Sequence, residues 1–271
     1  MEWLKITGPA FKEYAASGGA VAVLPCGSIE KHGEHLPLGT DTLNIENVCR
    51  RACRKAGALM LPAMPYLFVN EMKASAGAVS LSAKTILSFL EEVCDEVSRN
   101  GVKKIVLVNG HGGNKFILMT FLQDLPGRGK DYAAYLLNIM DCAYGEKAER
   151  AEKTSRAELP GGHADDSETD LTLATDEGLV DRGAVSEDKS AGASRLDYDI
   201  SPALAQTWWY SEYPDSLAGD PRFPSKERGE LILEMLVENL ADTLRRIRRD
   251  EKVAGRNRSF EEEARDPGRM H

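Results

Sequence analysis

Cysteine is scarce in this sequence, and the cysteines present show no pairing pattern. Five occur in 271 residues, at positions 26, 49, 53, 94 and 142, and none belongs to a C-x-x-C pair. An odd number of scattered cysteines argues against a disulfide framework and indicates free thiols in a reducing compartment.

Long apolar runs are also missing. No stretch approaches the roughly 20 apolar residues that a membrane-spanning helix requires. The N-terminus carries Glu2, Lys5, Lys12 and Glu13, which is not the basic segment followed by an apolar one that marks a signal peptide. We therefore expect a cytoplasmic protein with no membrane partner.

Positive charge is in the minority. Lysine and arginine number 34 against 43 acidic residues, which gives a formal net charge of −9. No basic stripe is present to neutralise a phosphate backbone, so nucleic acid is not an expected partner. The negative charge favours solubility and does not define a substrate.

What the sequence does contain is an alternation of apolar runs and amphipathic segments. Because strands that alternate with helices at this spacing form βαβ units, we predict an α/β domain with a mostly parallel sheet. We expect a single domain over 1–249 and a charged C-terminal tail over 250–271, with an irregular stretch at 180–222. The predicted strands are 21–25, 59–63, 104–108 and 132–139, and the predicted helices are 42–56, 84–100, 115–125, 166–176 and 225–249.

The first candidate segment for chemistry is GSIEKHGEHLPLGTD at 27–41, directly after the first predicted strand. Ligands of open parallel sheets bind where strands end. Glu30, His32 and Asp41 offer an imidazole and two carboxylates, a donor set that suits Zn, Mn or Fe(II). For this segment taken alone, a solvated loop without a metal is the alternative.

The second segment is VNGHGGN at 108–114, after the clearest predicted strand. We expect His111 to point from the strand end into a cleft. The backbone N–H groups of Gly112 and Gly113, together with Asn114, could hold an oxyanion or substrate at a helix N-terminus. The alternatives are a plain glycine-rich turn with a hydrogen-bonded histidine, and a phosphate loop, although the G-x-x-x-x-G-K-[ST] spacing is absent.

The third segment is GGHADDSETD at 161–170. We expect His163 in a loop and Glu168 in the first turn of the helix that follows, both as functional groups. Asp165, Asp166 and Asp170 are better explained as acids that cap the helix and complement its dipole.

These three motifs, in this order and spacing, resemble the creatininase (creatinine amidohydrolase) family over about residues 20–178. Gly219-Asp-Pro and Lys226-Glu-Arg-Gly229 are similar to the family's C-terminal signature. The resemblance implies a three-layer α/β/α fold, a centre of two divalent metal ions (Zn, Mn or Fe) and a homo-oligomer, commonly a hexamer.

The resemblance also implies roles for individual residues. Glu30 and His32 would bind different ions, Asp41 would bridge them and His111 would be a further ligand. In creatininase itself a glutamate stands two residues after this histidine. Here that position is Gly113, so Glu168 is the expected replacement, as a ligand and catalytic group. His163 resembles the family's catalytic or substrate-polarising histidine. Glu34, where many members have proline, and Asp165-Asp166, in place of Gly-Glu, are further departures.

The predicted activity is hydrolysis of a C–N bond in a small amide or cyclic amide by a metal-activated water. His163 could carry a proton to the leaving nitrogen, and Trp208, next to Trp209, could cover a flat substrate, although packing in the core is the alternative. Other enzymes remain open: a formamide deformylase, a peptide-trimming enzyme or a ring-opening hydrolase of a cyclic keto-sugar. An inactive metal-bound oligomeric binding module and a phosphate- or nucleotide-binding protein are the non-enzyme alternatives.

Overall fold

A computed structural model describes residues 1–195 and 203–269 of the chain. Residues 196–202 of the predicted irregular stretch and 270–271 of the predicted tail lie outside the described residues. At the centre is a four-stranded, wholly parallel sheet with the spatial order β2-β1-β3-β4. The strands are β1 (Val21–Cys26), β2 (Leu59–Met60), β3 (Lys104–Asn109) and β4 (Ala133–Asn138).

Helices cover both faces of this sheet, which confirms the predicted three-layer α/β/α fold. The helices of the described residues are α1 (Gly8–Ala15), α2 (Thr40–Ala56), α3 (Ala83–Arg99), α4 (Asn114–Asp124), α5 (Glu146–Thr154), α6 (Asp166–Thr175), α7 (Trp208–Glu212), α8 (Lys226–Arg249) and α9 (Lys252–Arg265).

Alternate side chains of the strands enter two separate cores, because successive residues of a strand point to opposite faces. Val21 and Val23 pack with α2 and α8 on one face. Ala22 and Leu24 pack with α3 and α4 on the other. Both faces of β1 are buried along its whole length, as expected for a central strand of a parallel sheet.

The register of the sheet determines where the loops after the strands lie. Cys26 at the end of β1 pairs with Asn109 at the end of β3. The N–H of Gly110 then donates to the carbonyl of Cys26 over 2.8 Å. The segments that follow β1 and β3, which carry the first two motifs, therefore emerge side by side at the carboxyl edge of the sheet.

The third motif reaches the same edge through helix packing. Helix α6 lies against α8 and α2, and the side-chain amide of Asn44 on α2 donates to the hydroxyl of Thr172 on α6 over 3.0 Å. Gly229 on α8 permits close contact, since a Cβ there would lie 1.9 Å from the carbonyl oxygen of Asp170.

The predicted helices and strands are all present, with bounds that differ by at most two residues at nearly every end. The exception is the second strand, which ends at Met60 instead of residue 63. Pro62 follows, and proline has no N–H to donate to a sheet ladder. Ser82 and Ser225 cap α3 and α8 with their side chains.

Helices α1, α5, α7 and α9 were not predicted. Within the stretch predicted to be irregular, Trp208–Glu212 forms the short helix α7. In the segment predicted as a charged tail, α9 contacts β4 and has no buried residue. In the described part of the chain, no helix combines the length and apolar character needed to cross a membrane.

Candidate metal centre

Six polar side chains from the three motifs meet at the carboxyl edge of the sheet. Glu30 and His32 lie in the loop after β1, and Asp41 is in the first turn of α2. Each of these three is at most 5% exposed. The other members are His111 after β3, His163 before α6 and Glu168 in the first turn of α6.

Asp41 lies at the middle of this cluster, and its two carboxylate oxygens face different neighbours. Oδ1 is 3.2 Å from Nε2 of His32, and that same nitrogen is 3.6 Å from Oε2 of Glu168. Oδ2 is 2.8 Å from Nδ1 of His111, which in turn is 2.6 Å from Oε1 of Glu30. The Asp41 carboxylate is thus shared by two groups of potential ligands.

Three sets of side chains could each surround an ion, with ligand atoms within 4.8 Å of one another. Two of the sets share Asp41, which joins Glu30 and His111 on one side and His32 and Glu168 on the other. The third set is Glu30, His32 and His163. Two adjacent sites with a common carboxylate are the arrangement of a two-metal centre.

Each of the three histidines is oriented by a backbone carbonyl. Nδ1 of His32 lies 3.2 Å from the carbonyl oxygen of Glu30. Nε2 of His111 lies 3.1 Å from that of Phe68, and Nε2 of His163 lies 2.9 Å from that of Lys31. When one ring nitrogen donates to a carbonyl, the other keeps its lone pair for a metal or a proton.

The electrostatics of the cluster favour a cation. Burial opposes charge on His32, but the carboxylates of Asp41, Glu168 and Glu30 together outweigh it and raise the pKa of His32 to about 10. Burial acts likewise on His111, while Glu30 and Asp41 raise its pKa well above the ordinary value. Burial raises the pKa of Glu168 to about 8. The three neighbouring carboxylates therefore stabilise a positive charge beside them.

The donor atoms fit a metal as well as protons. Oε2 of Glu30 is buried and has no hydrogen-bond partner among the residues described. A buried acceptor left unpaired costs about 1–3 kcal/mol, so a ligand is needed there. Imidazole nitrogens with carboxylate oxygens are the donors that Zn, Mn and Fe(II) accept.

The backbone just before α6 holds the side chain of Glu168 in place. Ala164 has φ 54°, a left-handed conformation that costs a non-glycine residue about 1–3 kcal/mol, and its N–H donates to Oε2 of Glu168 over 2.6 Å. Asp165 caps α6, as predicted, by accepting from the N–H groups of Ser167 and Glu168 at 3.0 Å.

Asp166 and Asp170 form ion pairs instead of the helix caps predicted for them. Both bind Arg228 of α8, which is 4% exposed: its Nη2 lies 2.7 Å from Oδ2 of Asp166, and its Nε pairs with Asp170. Arg228 thereby anchors the turn of α6 that carries Glu168.

A cavity of about 690 Å³ opens onto the cluster. Of the residues predicted to contact substrate, Gly112, Gly113 and Trp208 line it, and so does Trp209. The ring of Trp209 meets that of His163 edge-on, with centroids 5.6 Å apart. Trp208 is 37% exposed, so its side chain does not pack in the core, which was the alternative.

Asn114, also predicted as a substrate or oxyanion group, is turned away from this cavity. Its side chain is fully buried. The amide donates to the carbonyl of Gly27 over 2.9 Å and accepts from the N–H of Phe68 over 3.0 Å. Its hydrogen bonds join two loops, and the prediction of a substrate contact finds no support. The phosphate-loop alternative for this turn likewise gains no support, because its histidine faces carboxylates.

Ser28 and Glu71 are polar residues at the site that were not found from the sequence. Ser28 lies in the first motif, and its hydroxyl contacts Asp41. Glu71 lies in a 3₁₀ turn at Asn70–Met72 and lines the cavity. Ser28 could have been noted from its place between a strand end and Glu30, whereas Glu71 has no histidine or glycine motif beside it. His35 lies outside the centre and contacts Thr169 over 2.8 Å.

Comparison with known proteins identifies relatives that match most of the chain. The family model Creatininase (creatinine amidohydrolase) matches residues 4–244. Creatinine amidohydrolase of Pseudomonas putida is 28% identical over 255 residues, which are 89% of this chain and 95% of that protein. The mycofactocin precursor peptide peptidase of Mycobacterium ulcerans (strain Agy99) is 26% identical over 233 residues, or 83% of this chain and 84% of that protein.

Solved structures of creatininase have the same fold. The structure named "Creatininase Mn" superposes with a TM-score of 0.76 at 26% identity and covers 90% of this chain and 97% of its own. A mutant creatininase of Zn-Zn type superposes with a TM-score of 0.75 at 26% identity and covers 90% of this chain and 97% of its own. A mutant creatininase complexed with creatine superposes with a TM-score of 0.73 at 27% identity and covers 92% of this chain and 99% of its own.

Proposed function

This chain belongs to the creatininase family, and on that premise we propose that Glu30, His32, Asp41, His111 and Glu168 hold two divalent metal ions for hydrolysis of a small amide. The chain is a metal-dependent hydrolase of the amidohydrolase type. Creatininase structures of Mn and Zn-Zn type support a centre of two such ions.

The observation that carries the proposal is the sharing of Asp41 between two ligand groups. We assign Glu30 and His111 to one ion, His32 and Glu168 to the other, and Asp41 to both. The buried, unpartnered Oε2 of Glu30 supports this assignment. With Gly113 in place of a carboxylate, Glu168 supplies the remaining acidic ligand.

A pair of bound divalent ions supplies an acidified water and a Lewis acid for the carbonyl oxygen. The residues of the chain have the remaining tasks. Hydrolysis adds water across the C–N bond, which yields a carboxylate and an amine, so the leaving nitrogen needs a proton. His163 is assigned to carry it on Nδ1, since Nε2 is engaged with the carbonyl of Lys31.

Burial and the neighbouring His32 lower the pKa of His163 to about 4, so its imidazole is neutral at pH 7 and would hold a proton only briefly before it passes it on. Glu168 is assigned a catalytic part beside its role as a ligand, because its carboxylate lines the same cavity. The N–H groups of Gly112 and Gly113 are assigned to the developing oxyanion. Trp208 is assigned to cover the substrate.

The substrate is proposed to be a small amide or cyclic amide. The Pseudomonas putida relative is named for its action on creatinine, and one mutant creatininase structure is a complex with creatine. Formamides and short peptides remain the next candidates, since a peptidase is also among the relatives.

The test is metal content together with hydrolysis. Protein purified without chelator is expected to contain two divalent ions per chain and to hydrolyse creatinine, a formamide or a short peptide. Asp41→Ala and the isosteric Asp41→Asn are expected to lose both ions and turnover, whereas Asp242→Asn, an exposed aspartate on α8, retains them. Full metal loading and turnover in both Asp41 variants would refute the assignment.

Assembly, compartment and domain limits are further parts of the proposal. We assign a homo-oligomer, taken as a hexamer, and light scattering of the purified chain tests it. Five free, buried cysteines support a cytoplasmic location. The family match ends at residue 244, which supports a catalytic domain over 1–249 and a separate segment over 250–271. Removing residues 250–271 is expected to leave metal binding intact.

A further inference from the structure

We propose that Glu71 is the specificity-determining carboxylate of the cavity and binds an N–H-bearing or positively charged group of the substrate. The inference rests on the proposed hydrolase function, because it concerns the same cavity. It names the residue of this chain that would select small amides with an amine, amidine or guanidine group over those that carry a carboxylate or phosphate.

Glu71 lies at the wall of the cavity, apart from the ligand groups. It lines the same cavity as Glu30, Asp41, His111 and Glu168, and its side chain is 23% exposed. Oε1 lies 3.8 Å from Nε2 of His111, on the side of the ring that faces away from Asp41. None of the three ligand sets found among the described residues includes it.

The carboxylate of Glu71 also has acceptor capacity to spare. Nε2 of His111 already donates to the carbonyl oxygen of Phe68 at 3.1 Å, so it does not use Glu71 as its main acceptor. Within residues 1–195 and 203–269, no side chain donates a hydrogen bond to Glu71. Its oxygens are therefore available to a molecule in the cavity.

The space for this carboxylate depends on Gly113. A Cβ at position 113 would lie 2.2 Å from Oε1 of Glu71 and 2.5 Å from Nε2 of His111. Both distances are well below van der Waals contact, so a side chain at 113 and the present position of Glu71 exclude each other. The glycine and the glutamate form one arrangement that brings a carboxylate into the cavity from a separate turn of the chain.

The charge of the cavity points the same way. Two divalent ions would carry four positive charges against the three negative charges of Glu30, Asp41 and Glu168, and Glu71 is a fourth carboxylate that no ligand set includes. No lysine or arginine is among the described residues that line this cavity. An anionic group placed beside Glu71 would therefore meet local repulsion, which is how sites reject wrong partners.

The apolar part of the wall suits a planar cation. Phe68, Phe116, Trp208 and Trp209 line the cavity together with Glu71. Aromatic faces attract cations within about 6 Å of the ring centroid. A cavity wall that combines a carboxylate with aromatic rings is thus suited to a planar guanidinium or amidine.

The experiment compares zinc-loaded wild type with Glu71→Gln, and with Glu46→Gln as a control of similar exposure, at 32%. Elemental analysis gives zinc per chain. Hydrolysis is then measured for the cationic N-formyl-1,2-diaminoethane and the anionic N-formylglycine, and binding of methylguanidinium is measured by calorimetry.

Glu71→Gln is expected to keep its zinc, to bind methylguanidinium at least about tenfold more weakly, and to lose preference for the cationic formamide by a similar factor. The loss is expected in KM more than in kcat. Glu46→Gln should match the wild type in all three measurements.

Loss of zinc in Glu71→Gln would make Glu71 a ligand and overturn the inference, as would unchanged methylguanidinium binding with zinc retained. Failure of the hydrolase proposal looks different. In that case the wild type holds no zinc or hydrolyses neither formamide, and calorimetry with methylguanidinium alone decides the role of Glu71.

Discussion

The hydroxyl of Ser28 donates a 2.7 Å hydrogen bond to Oδ2 of Asp41, the oxygen that faces His111. The same hydroxyl lies 3.1 Å from Oε1 of Glu30. Ser28 is fully buried, and its carbonyl accepts from the hydroxyl of Thr42 over 2.7 Å. One serine thus fixes the relative positions of two carboxylates on the same side of the proposed centre.

Replacing Ser28 by alanine is expected to weaken metal binding while the fold is kept. Loss of a partner that orients a ligand typically costs 10–100-fold in metal affinity, and about that factor is expected for zinc in a competition titration with a chromophoric chelator. Ser259→Ala, an exposed position on α9, is the control. Equal zinc affinity of wild type and Ser28→Ala would mean that the hydroxyl does not hold Asp41.

Gly113→Ala is expected to disturb both stability and the metal centre. The new methyl group would overlap Glu71 and His111, and overpacking of this kind costs about 1–3 kcal/mol. Urea unfolding and zinc content measure the two effects. Gly112→Ala is the matched control, since nothing lies within 4 Å of a Cβ there. Identical behaviour of the two variants would contradict the predicted overlap.

Chelation is expected to lower the melting temperature, because ions that bind only the folded state stabilise it. An ion at 100 times its dissociation constant contributes about 2.7 kcal/mol, which for a chain of this size is about 5–10 °C. Calorimetric scans before EDTA, after EDTA and after zinc is restored provide the measurement. Asp41→Asn should melt at the same temperature with and without EDTA; a shift in that variant would place the ions elsewhere.

Asp220 is expected to stabilise the protein in a pH-dependent way. It accepts two hydrogen bonds of 2.8 Å from the guanidinium of Arg222, and this contact lowers the pKa of Asp220 from 3.8 to about 2. A carboxyl group with a lowered pKa stabilises the fold above its unfolded pKa, here 3.8, and loses that effect as the pH falls toward 2.

The matching measurement is urea unfolding of wild type and Asp220→Asn between pH 7 and pH 3. The difference in free energy of unfolding is expected to be about 2 kcal/mol above pH 5 and to shrink below pH 4. Asp215→Asn removes an exposed partner of Arg195, and exposed pairs contribute about 0–1 kcal/mol. A difference for Asp220→Asn that stays constant down to pH 3 would contradict the assignment.

The sheet and its long helices could be predicted from the sequence because local patterns determine them. The apolar run of β1 and the serine caps of α3 and α8 are encoded within a few residues. Helices α1 and α5 were missed because they are short. Helix α7 has only five residues, and its segment shows no helical period, so no local pattern indicated it.

The candidate ligands could also be predicted, since each follows a strand or opens a helix within a recognisable motif. The hydrogen bonds that orient the histidines could be predicted less well. His111 and His163 each turn one nitrogen to a carbonyl that is distant in sequence, those of Phe68 and Lys31. Glu71 was missed because its position depends on Gly113, and no local pattern joins residues 71 and 113.

The shared carboxylate of Asp41 also has a consequence for biosynthesis. Glu30, Asp41 and His111 leave the ribosome before Glu168, which is 57 residues further along than His111. A nascent chain can therefore present the ligand set proposed for one ion while the set for the other still lacks Glu168. The second set is completed only when α6 docks onto α8, so a polypeptide truncated ahead of α6 is expected to take up one equivalent of metal at most.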